Sequence, residues 1–368
     1  MLDRNTKQDG DDAMQSLWVK KNELAKSEWH ESELPALADG QVLLAVEKYA
    51  LTANNITYAV VGDGFGYWNF FPTGDDQWGI VPVWGFASVL ASENPDIEVG
   101  ERVYGYLPMA SHLLVTPTNV QEGGFVDGAA HRQGLAIIYN QYNRIGKDQG
   151  ALEAERAIFQ PLFTTSFLIE DFMRSNDWFG AEALVMTSAS SKTSLGLAMV
   201  AKSLSPSIKR IGLTSAGNTT FVEHSGLYDE VLTYDNLAAA DAARPTVSVD
   251  FAGNGQLLGA IHAHWGDALK FSSLVGATHV SERGGAADLQ GPKPQLFFAP
   301  TAAESLIKEI GAPAFRARVD EQFAAFVAGA SAYLKVEDLK GYDALQSAYL
   351  EMLANEVAPS RGLMCYFA

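Results

Sequence analysis

The chain has 368 residues, of which 47% are hydrophobic and 19% are charged, so it is a globular protein that is long for a single core and suits two domains. Its 26 Lys and Arg residues stand against 44 Asp and Glu residues, a net charge of −18, which disfavours binding to nucleic acid or to an anionic membrane. The single cysteine, Cys365, excludes an intrachain disulfide framework and a cysteine-rich zinc site. There is no secretory signal pattern and no run of about 18 apolar residues, so we expect a cytoplasmic protein.

The first third of the chain is rich in predicted strands. Residues 1–14 are polar and acidic, which predicts a mobile tail. From Ser16 to about Pro117, apolar runs alternate with glycine and proline turns, and we expect strands over 41–49, 79–90, 101–108 and 112–115. Turns at these intervals suit a small β-barrel.

A loop dense in glycine and aromatic residues lies between these strands, over residues 62–72. Exposed aromatic clusters are unfavourable in water and usually mark binding sites. The same loop could instead form a small satellite core. The sequence leaves both interpretations open.

Two helical segments follow the strand-rich part. Residues 130–140 predict a short helix within a mixed, charged region. Phe163, Phe167, Leu168 and Phe172 recur at helical spacing, so we expect a helix over 158–173.

The stretch from Glu182 to Lys202 has the order strand, polar turn, helix. A helix that begins just after such a turn directs unpaired N–H groups and its positive dipole end at the turn, where phosphate binds well. Ser188, Ser190 and Ser191 occupy most positions where a dinucleotide site has glycine, while Gly196 remains for close helix packing. The alternative is an ordinary strand, turn and helix with a serine-rich cap.

Strands and helices alternate from here on, which predicts an α/β fold with a doubly wound parallel sheet. We expect further strands over 210–214, 230–233, 246–251, 269–276 and 294–300. Helices are predicted over 218–225, 314–334 and 342–355, and a last strand over 362–367.

This order of segments resembles the medium-chain dehydrogenase/reductase superfamily, in its zinc-independent, quinone-oxidoreductase-like branch. It is most similar to an uncharacterised group known as DUF2855. The segments that carry the resemblance are 53–57 (ANNIT), 83–89 (VWGFASV), 99–103 (VGERV), 162–165 (LFTT), 249–254 (VDFAGN) and 275–276 (VG). The resemblance implies a GroES-like β-barrel catalytic domain over 15–157 and 312–368, with a Rossmann domain over 158–311.

The resemblance also implies a nicotinamide cofactor. No carboxylate stands at 214–218, where an NAD-specific protein carries Asp or Glu, so NADPH is favoured over NADH unless these small polar residues merely form a turn. Lys192 could add a cation for phosphate. The candidate cofactor-binding residues are Thr164, Thr165, Ser188, Ser190, Ser191, Lys192, Thr193, Thr214, Ser215, Asn218, Ala252, Gly253, Val275 and Gly276.

A reductase without a metal needs a hydrogen-bond or proton donor for negative charge that develops on oxygen. By resemblance to enoyl reductases, Tyr67 is the first candidate donor and Tyr58 the second, with Asn54 as a partner for the substrate carbonyl. Tyr67 could instead be a hydrophobic lid. The chain lacks the Cys and His ligands of the zinc-dependent members.

Three histidines are further candidates for metal binding or catalysis. His262 and His264 lie two residues apart, do not share a helix face, and are expected to be structural or at the surface. His112 is a minor candidate for the catalytic cleft.

Two functions from different classes remain, besides a non-redox enzyme that would use the aromatic pocket. The first is a zinc-independent NADPH-dependent oxidoreductase that transfers hydride to a small conjugated carbonyl of the enone, quinone or enoyl type. The second is a cofactor-free scaffold or ligand-binding protein with a degenerate nucleotide site. The resemblance also suggests a homodimer.

Overall fold

The computed structural model describes residues 13–146, 152–275, 289–330 and 332–367. The chain forms two compact units. The first contains Met1–Ala157, Glu337–Glu356 and Leu363–Ala368, and the second contains Ile158–Val336 and Val357–Gly362.

The first unit is built on antiparallel strands. These are β1 (Ala13–Lys20), β2 (Glu23–Glu33), β3 (Val42–Leu51), β4 (Trp78–Ile80), β5 (Pro82–Ser92), β6 (Arg102–Pro108), β7 (His112–Val115), β8 (Pro117–Gln121), β9 (Gly124–Asp127) and β10 (Gln141–Arg144). One three-stranded sheet has the order β2-β1-β4. Two strands from the C-terminal part of the chain, β17 (Lys335–Lys340) and β18 (Arg361–Tyr366), join most of the others in a nine-stranded sheet. Its order is β17-β18-β3-β5-β6-β10-β9-β8, with β7 also paired to β3.

The C-terminal elements are β17 (Lys335–Lys340), α8 (Tyr342–Leu353) and β18 (Arg361–Tyr366). Residues 363–365 of β18 pair with β3, so the end of the chain completes the sheet that the start of the chain begins. The first 12 residues of the expected mobile tail lie outside the described residues. The last two do not belong to a tail, because β1 begins at Ala13 and pairs from there with β2.

Short helices carry the remaining part of the first unit: α1 (Ala53–Val60) and the 3-10 helices Tyr67–Phe70, Ala130–Arg132 and Ile137–Asn140. The single helix expected over 130–140 was wrong. Gly134 has φ of 82°, in the left-handed region, which interrupts the helix and leaves two separate 3-10 turns.

The aromatic loop packs largely inward. Tyr67, Trp68 and Phe70 are buried, while Phe65 is 37% exposed. The Trp68 ring lies against Gly62 and Gly79, where any side chain would collide with it. Most of the loop therefore belongs to a buried core, and the Phe65 side chain lies at the surface.

The second unit is a parallel α/β layer structure. Its strands are β11 (Ala183–Met186), β12 (Lys209–Thr214), β13 (Glu230–Thr233), β14 (Thr246–Asp250), β15 (Leu269–Val275) and β16 (Gln295–Phe297). They form one parallel sheet in the order β13-β12-β11-β14-β15-β16, the order of a doubly wound dinucleotide fold.

Helices surround this sheet: α2 (Glu153–Ser175), α3 (Lys192–Leu204), α4 (Thr219–His224), α5 (Gly255–Trp265), α6 (Ala299–Ile310) and α7 (Ala312–Ala330). 3-10 helices cover Asp177–Gly180, Ala216–Asn218, Tyr234–Ala239 and Gly266–Ala268. Gly196 of α3 faces α2, and an added Cβ there would lie 2.7 Å from Ser166 Oγ.

Residues 312–336 belong to the second unit, although the expected barrel domain included them. The reason is an aromatic contact between α7 and α2, in which the rings of Phe326 and Phe163 are 5.2 Å apart. Among the described helices, none is long and apolar enough to cross a membrane.

We expect Gly79→Ala to lower the free energy of unfolding by about 1–3 kcal/mol, the usual cost of overpacking. An added Cβ would lie 2.8 Å from Cζ3 of the buried Trp68 ring. Chemical denaturation measures the change. Gly123→Ala is the matched control, because a Cβ at that position meets nothing within 4 Å. Equal losses in the two variants would contradict the packing described here.

Candidate functional site

The carboxyl edge of the parallel sheet gathers many of the predicted cofactor residues. The sheet changes direction at β11, with β12 on one side and β14 on the other, and ligands of such folds bind outside the strand ends at this point. The residues that follow the strand ends include Ser188, Ser190 and Ser191 after β11, Ser215 and Asn218 after β12, and Ala252 and Gly253 after β14. Val275 ends β15, and Gly276 lies outside the described residues.

The turn after β11 contains no glycine, but its backbone has a conformation that usually requires one. Ser188 adopts φ of 47°, in the left-handed region that favours glycine. The N–H of Ser191 donates to the Ser188 carbonyl at 2.7 Å. Ser191 then caps α3, with its hydroxyl accepting from the Ser194 N–H at 3.2 Å.

Two side chains brace this turn. Asn218 Nδ2 donates to Ser190 Oγ at 3.1 Å, so the ends of β11 and β12 are joined directly. The Tyr228 hydroxyl donates to the Ala189 carbonyl at 2.8 Å and lies 2.9 Å from Ser194 Oγ. Tyr228 was not predicted from the sequence, because nothing local marks a residue 39 positions away as a partner of the turn.

The start of α3 leaves backbone donors available. The N–H groups of Lys192 and Thr193 lie in its first turn, where no helical carbonyl precedes them. Partly exposed Ser188, Ser190 and Ser191 add hydroxyls beside them. An anion placed here would be held by N–H groups, hydroxyls and the helix dipole.

Lys192 is directed elsewhere. Its ammonium group donates to the Arg361 carbonyl at 3.2 Å. Burial lowers the pKa of Lys192 to about 8. Lys192, the predicted cation for a phosphate group, is therefore held by a backbone carbonyl in this structure.

The two central strands are joined at their ends by Thr187 and Asp250, which the sequence did not mark as site residues. The Thr187 hydroxyl donates to Asp250 Oδ1 at 2.7 Å and accepts from the N–H groups of Phe251 and Ala252 at 2.8 and 3.0 Å. Asp250 Oδ1 also accepts from the Ala252 N–H at 3.0 Å. The position of Thr187, directly after a buried strand, was the signal that could have found it.

The end of β12 carries no acidic residue, as the sequence already indicated. Thr214 is buried, and its hydroxyl has no hydrogen-bond partner within the part of the chain that the structure describes. Ser215 is exposed and Asn218 is partly exposed. Ser215 and Asn218 are thus the residues of this group that an incoming ligand can reach.

Thr164 and Thr165 lie on α2 and are not joined to the sheet edge by any hydrogen bond that the described residues make. Their hydroxyls donate to the carbonyls of Gln160 and Pro161, at 2.9 and 3.4 Å. Both side chains are partly buried.

The first unit holds a second cluster, which we call the tyrosine cluster: Asn54, Tyr58, Tyr67, Trp84 and Tyr139. The Tyr67 and Tyr139 hydroxyl oxygens are 3.2 Å apart, and Trp84 Nε1 donates to the Tyr58 hydroxyl at 3.2 Å. The rings of Tyr58 and Tyr67 are 4.6 Å apart. The structure therefore brings the three predicted catalytic residues together and adds Tyr139 and Trp84, which sequence analysis missed.

Burial dominates the electrostatics of this cluster. Desolvation raises the pKa of Tyr58, Tyr67 and Tyr139, because a phenolate loses hydration inside the unit. Hydrogen bonds from Trp84, Asn54 and Tyr139 lower the pKa of Tyr58 and so oppose part of this rise. All three phenols are protonated at neutral pH and can donate hydrogen bonds.

The neighbouring asparagine, Asn55, has a structural role. Its Oδ1 accepts from the Thr52 N–H at 2.7 Å, and its Nδ2 donates to the Pro82 carbonyl at 2.9 Å. Asn55 is buried, whereas Asn54 is partly exposed. The fixed Asn55 sets the start of α1 and so positions Asn54 and Tyr58.

The histidines are held by structural contacts. His262 is buried between the Gln290 carbonyl at 2.7 Å and Ser272 Oγ at 2.9 Å, and His264 contacts the Ala240 carbonyl at 3.0 Å. His112 Nδ1 lies 2.9 Å from Ser111 Oγ. Within the described ranges, no group of three or more His, Cys, Asp or Glu side chains is arranged to hold a metal ion.

Solved structures share this arrangement of elements. CurA from Vibrio vulnificus is 14% identical, with a TM-score of 0.62 over 96% of this chain and 99% of that chain. CurA in complex with NADPH, from the same organism, is 14% identical, with a TM-score of 0.59 over 93% and 94%. A putative NADPH:quinone reductase from Mesorhizobium loti is 15% identical, with a TM-score of 0.62 over 96% and 98%.

At these identities the likeness shows the fold. The predicted fold class, a GroES-like barrel with a Rossmann-type parallel sheet, is confirmed. By sequence, no curated protein matches the chain. Residues 49–358 match the model of the family described as "Protein of unknown function (DUF2855)", and the chain belongs to that family.

Proposed function

We propose that the protein is an NADPH-dependent oxidoreductase that reduces a small conjugated carbonyl compound, of the enone, quinone or enoyl type, without zinc. The proposal rests on the geometry at the carboxyl edge of the parallel sheet. There, a left-handed turn at Ser188 leads into the N-terminus of α3 at the point where the sheet changes direction. CurA, which shares the fold, binds NADPH.

The residues of the turn fit the pyrophosphate of a dinucleotide. Backbone N–H groups of Lys192 and Thr193 and the hydroxyls of Ser188, Ser190 and Ser191 would donate to it. The hydroxyls take over part of the contact that backbone makes in glycine-rich sites. Ala252 and Gly253 would border the cofactor beyond β14, with Val275, Thr164 and Thr165 as further predicted contacts.

The end of β12 fits NADPH better than NADH. A carboxylate there would hold two ribose hydroxyls and repel a 2′-phosphate, and residues 214–218 contain none. Ser215 is exposed and Asn218 is partly exposed, so both can donate to a phosphate. Thr214, with its buried hydroxyl, shapes the strand end.

NADPH, when bound, would supply a hydride, that is a proton with two electrons, to the conjugated carbon of the substrate. Negative charge then develops on the carbonyl oxygen. The protonated Tyr67 would donate a hydrogen bond and then its proton to that oxygen, with Asn54 and Tyr58 as neighbouring polar groups. Solvent returns the proton to Tyr67.

The serine-rich turn favours one alternative function, a cofactor-free scaffold or ligand-binding protein with a degenerate nucleotide site. Asn218 and Tyr228 already bond the turn internally, so the turn is stable without a ligand. A cytoplasmic location and a homodimer remain predictions from the sequence and the resemblance.

NADPH should raise the melting temperature of the purified protein, because a ligand that binds only the folded state stabilises it by mass action. The gain is about 2.7 kcal/mol at a concentration 100-fold above the dissociation constant. NADH at the same concentration should give a smaller shift. Turnover is then measured as loss of nicotinamide absorbance with para-benzoquinone and with an α,β-unsaturated ketone. No shift with either nucleotide at millimolar concentration would favour the cofactor-free alternative.

Ser215→Asp should weaken NADPH binding by about tenfold, the effect of ~1.4 kcal/mol of charge repulsion, and leave NADH binding unchanged or improved. The new carboxylate would stand at the end of β12, where the 2′-phosphate is expected. Ser207→Asp is the matched control, since it places the same charge on an exposed residue before the other end of β12. Calorimetry measures the binding of NADPH and NADH to both variants. Equal effects of the two variants would remove the 2′-phosphate from this position.

A further inference from the structure

The serine-rich turn after β11 lies against a glycine of the neighbouring strand. A Cβ added to Gly212 of β12 would lie 2.9 Å from the Ala189 Cβ and 2.8 Å from Cδ1 of the Tyr228 ring. Both distances are shorter than a real Cβ atom allows, so any larger residue at 212 would displace the turn or the ring. The absence of a side chain at Gly212 therefore lets the Tyr228 ring pack beside the turn.

The two hydrogen bonds of the Tyr228 hydroxyl have a direction that the chemistry of the partners fixes. The Ala189 carbonyl can only accept, so the single phenol proton is donated to it, at 2.8 Å. In the 2.9 Å contact with Ser194 Oγ, the Tyr228 oxygen must then accept from the serine hydroxyl. Because Ser194 lies in the first turn of α3, Tyr228 connects the start of this helix to the turn before it.

The backbone that carries Tyr228 is held on both sides by Arg210 of β12. Arg210 Nε donates to the Leu227 carbonyl at 3.0 Å. The backbone N–H and the Nη2 group of Arg210 donate to the Asp229 carboxylate, each at 2.7 Å. The residues before and after Tyr228 are thus fixed to the sheet, as a residue that positions its neighbours requires.

Ser188 is the position at which this support affects the shape of the turn. A serine at φ of 47° is disfavoured relative to glycine, so an unsupported turn would leave this conformation for part of the time. Tyr228 holds the carbonyl of Ala189, the residue directly after Ser188. The apparent dissociation constant of a ligand rises as the binding-competent fraction of the protein falls. Loss of the Tyr228 hydroxyl should therefore weaken ligand binding at the turn.

We propose that Tyr228 is the positioning residue of the phosphate site, and that its bond to Ala189, for which Gly212 makes room, replaces a glycine at position 188. The inference rests on the proposed function in one respect, that the turn holds the pyrophosphate of NADPH. Tyr228 acts through the conformation of Ser188 and not through contact with the ligand. Its effect on binding should therefore disappear once glycine stands at 188.

The test is a double-mutant cycle in the full-length protein, with inorganic pyrophosphate and NADPH as separate probes in calorimetry. Tyr228→Phe keeps the ring and removes the hydroxyl, and it should weaken binding by about three- to tenfold. Ser188→Gly removes the left-handed strain together with a hydroxyl of the site, so it serves as a second background and not as a control. In that background, Tyr228→Phe should weaken binding by less than about twofold. Binding of either probe is sufficient for the cycle.

Tyr142→Phe is the matched control, because it also removes a phenol that donates to a backbone carbonyl. The Tyr142 hydroxyl donates to the Tyr106 carbonyl at 2.7 Å, in the other unit. This variant should bind both probes as the unmodified protein does. Ser194→Ala removes the hydroxyl that donates to Tyr228 and provides the same cycle if Tyr228→Phe fails to fold. It should weaken binding by about two- to threefold, and only with serine at 188.

A second readout needs no ligand and separates positioning from a general loss of stability. Carbon-13 chemical shifts of labelled serine report backbone conformation, and the Ser188 signal is assigned by its absence in Ser188→Gly. Tyr228→Phe should move this signal away from its left-handed position or split it into several signals. Tyr142→Phe should leave it unchanged. A variant that is only less stable keeps the native signal as long as it is folded.

Equal fold losses from Tyr228→Phe with serine and with glycine at 188 would overturn the inference, and so would an unmoved Ser188 signal in Tyr228→Phe. Failure of the unmodified protein to bind either probe would overturn it as well. A protein that binds pyrophosphate but not NADPH, and shows the expected cycle, loses the proposed reductase activity and keeps Tyr228 as the positioning residue. A protein that binds NADPH with equal losses in the two backgrounds keeps the proposed function and loses this role of Tyr228.

Discussion

The hydrogen bond between Thr187 and Asp250 fixes the centre of the parallel sheet at the point where its strand order reverses. A single hydroxyl donates to the carboxylate and accepts two backbone N–H groups, so the end of β11 and the turn after β14 are held as one piece. Both side chains are buried, where an unmade hydrogen bond would be costly. The polar turns on either side of this bond can therefore keep a fixed geometry.

The turn after β11 shows how a chain can keep the shape of a glycine-rich loop with serine. A serine at φ of 47° costs on the order of 1–2 kcal/mol relative to glycine. Hydrogen bonds from Asn218 to Ser190 and from Tyr228 to Ala189 offset that cost. The loss of glycine thus changes the donors that the turn offers, from backbone toward hydroxyl, while its conformation persists.

In the first unit, many phenol and indole groups are buried. Glycines admit the rings, as Gly62 and Gly79 do for Trp68. Polar tips then need partners inside the unit, and Tyr58, Tyr67, Tyr139 and Trp84 supply them to one another. Because burial raises the pKa of these phenols, the cluster consists of hydrogen-bond donors rather than bases.

The fold class, the strand, turn and helix at 183–204, and the absence of an acidic residue after β12 could all be predicted from the sequence. Hydrophobic periodicity and strand-end chemistry are local properties of the chain. The grouping of Asn54, Tyr58 and Tyr67 was also within its reach, since they lie close in the chain. Two contacts became visible only in the folded chain. Tyr139 lies 72 residues beyond Tyr67 and contacts its hydroxyl, and Lys192 donates to a carbonyl 169 residues away. Contacts of this kind depend on how sheets and turns pack in three dimensions, and no spacing along the chain records them.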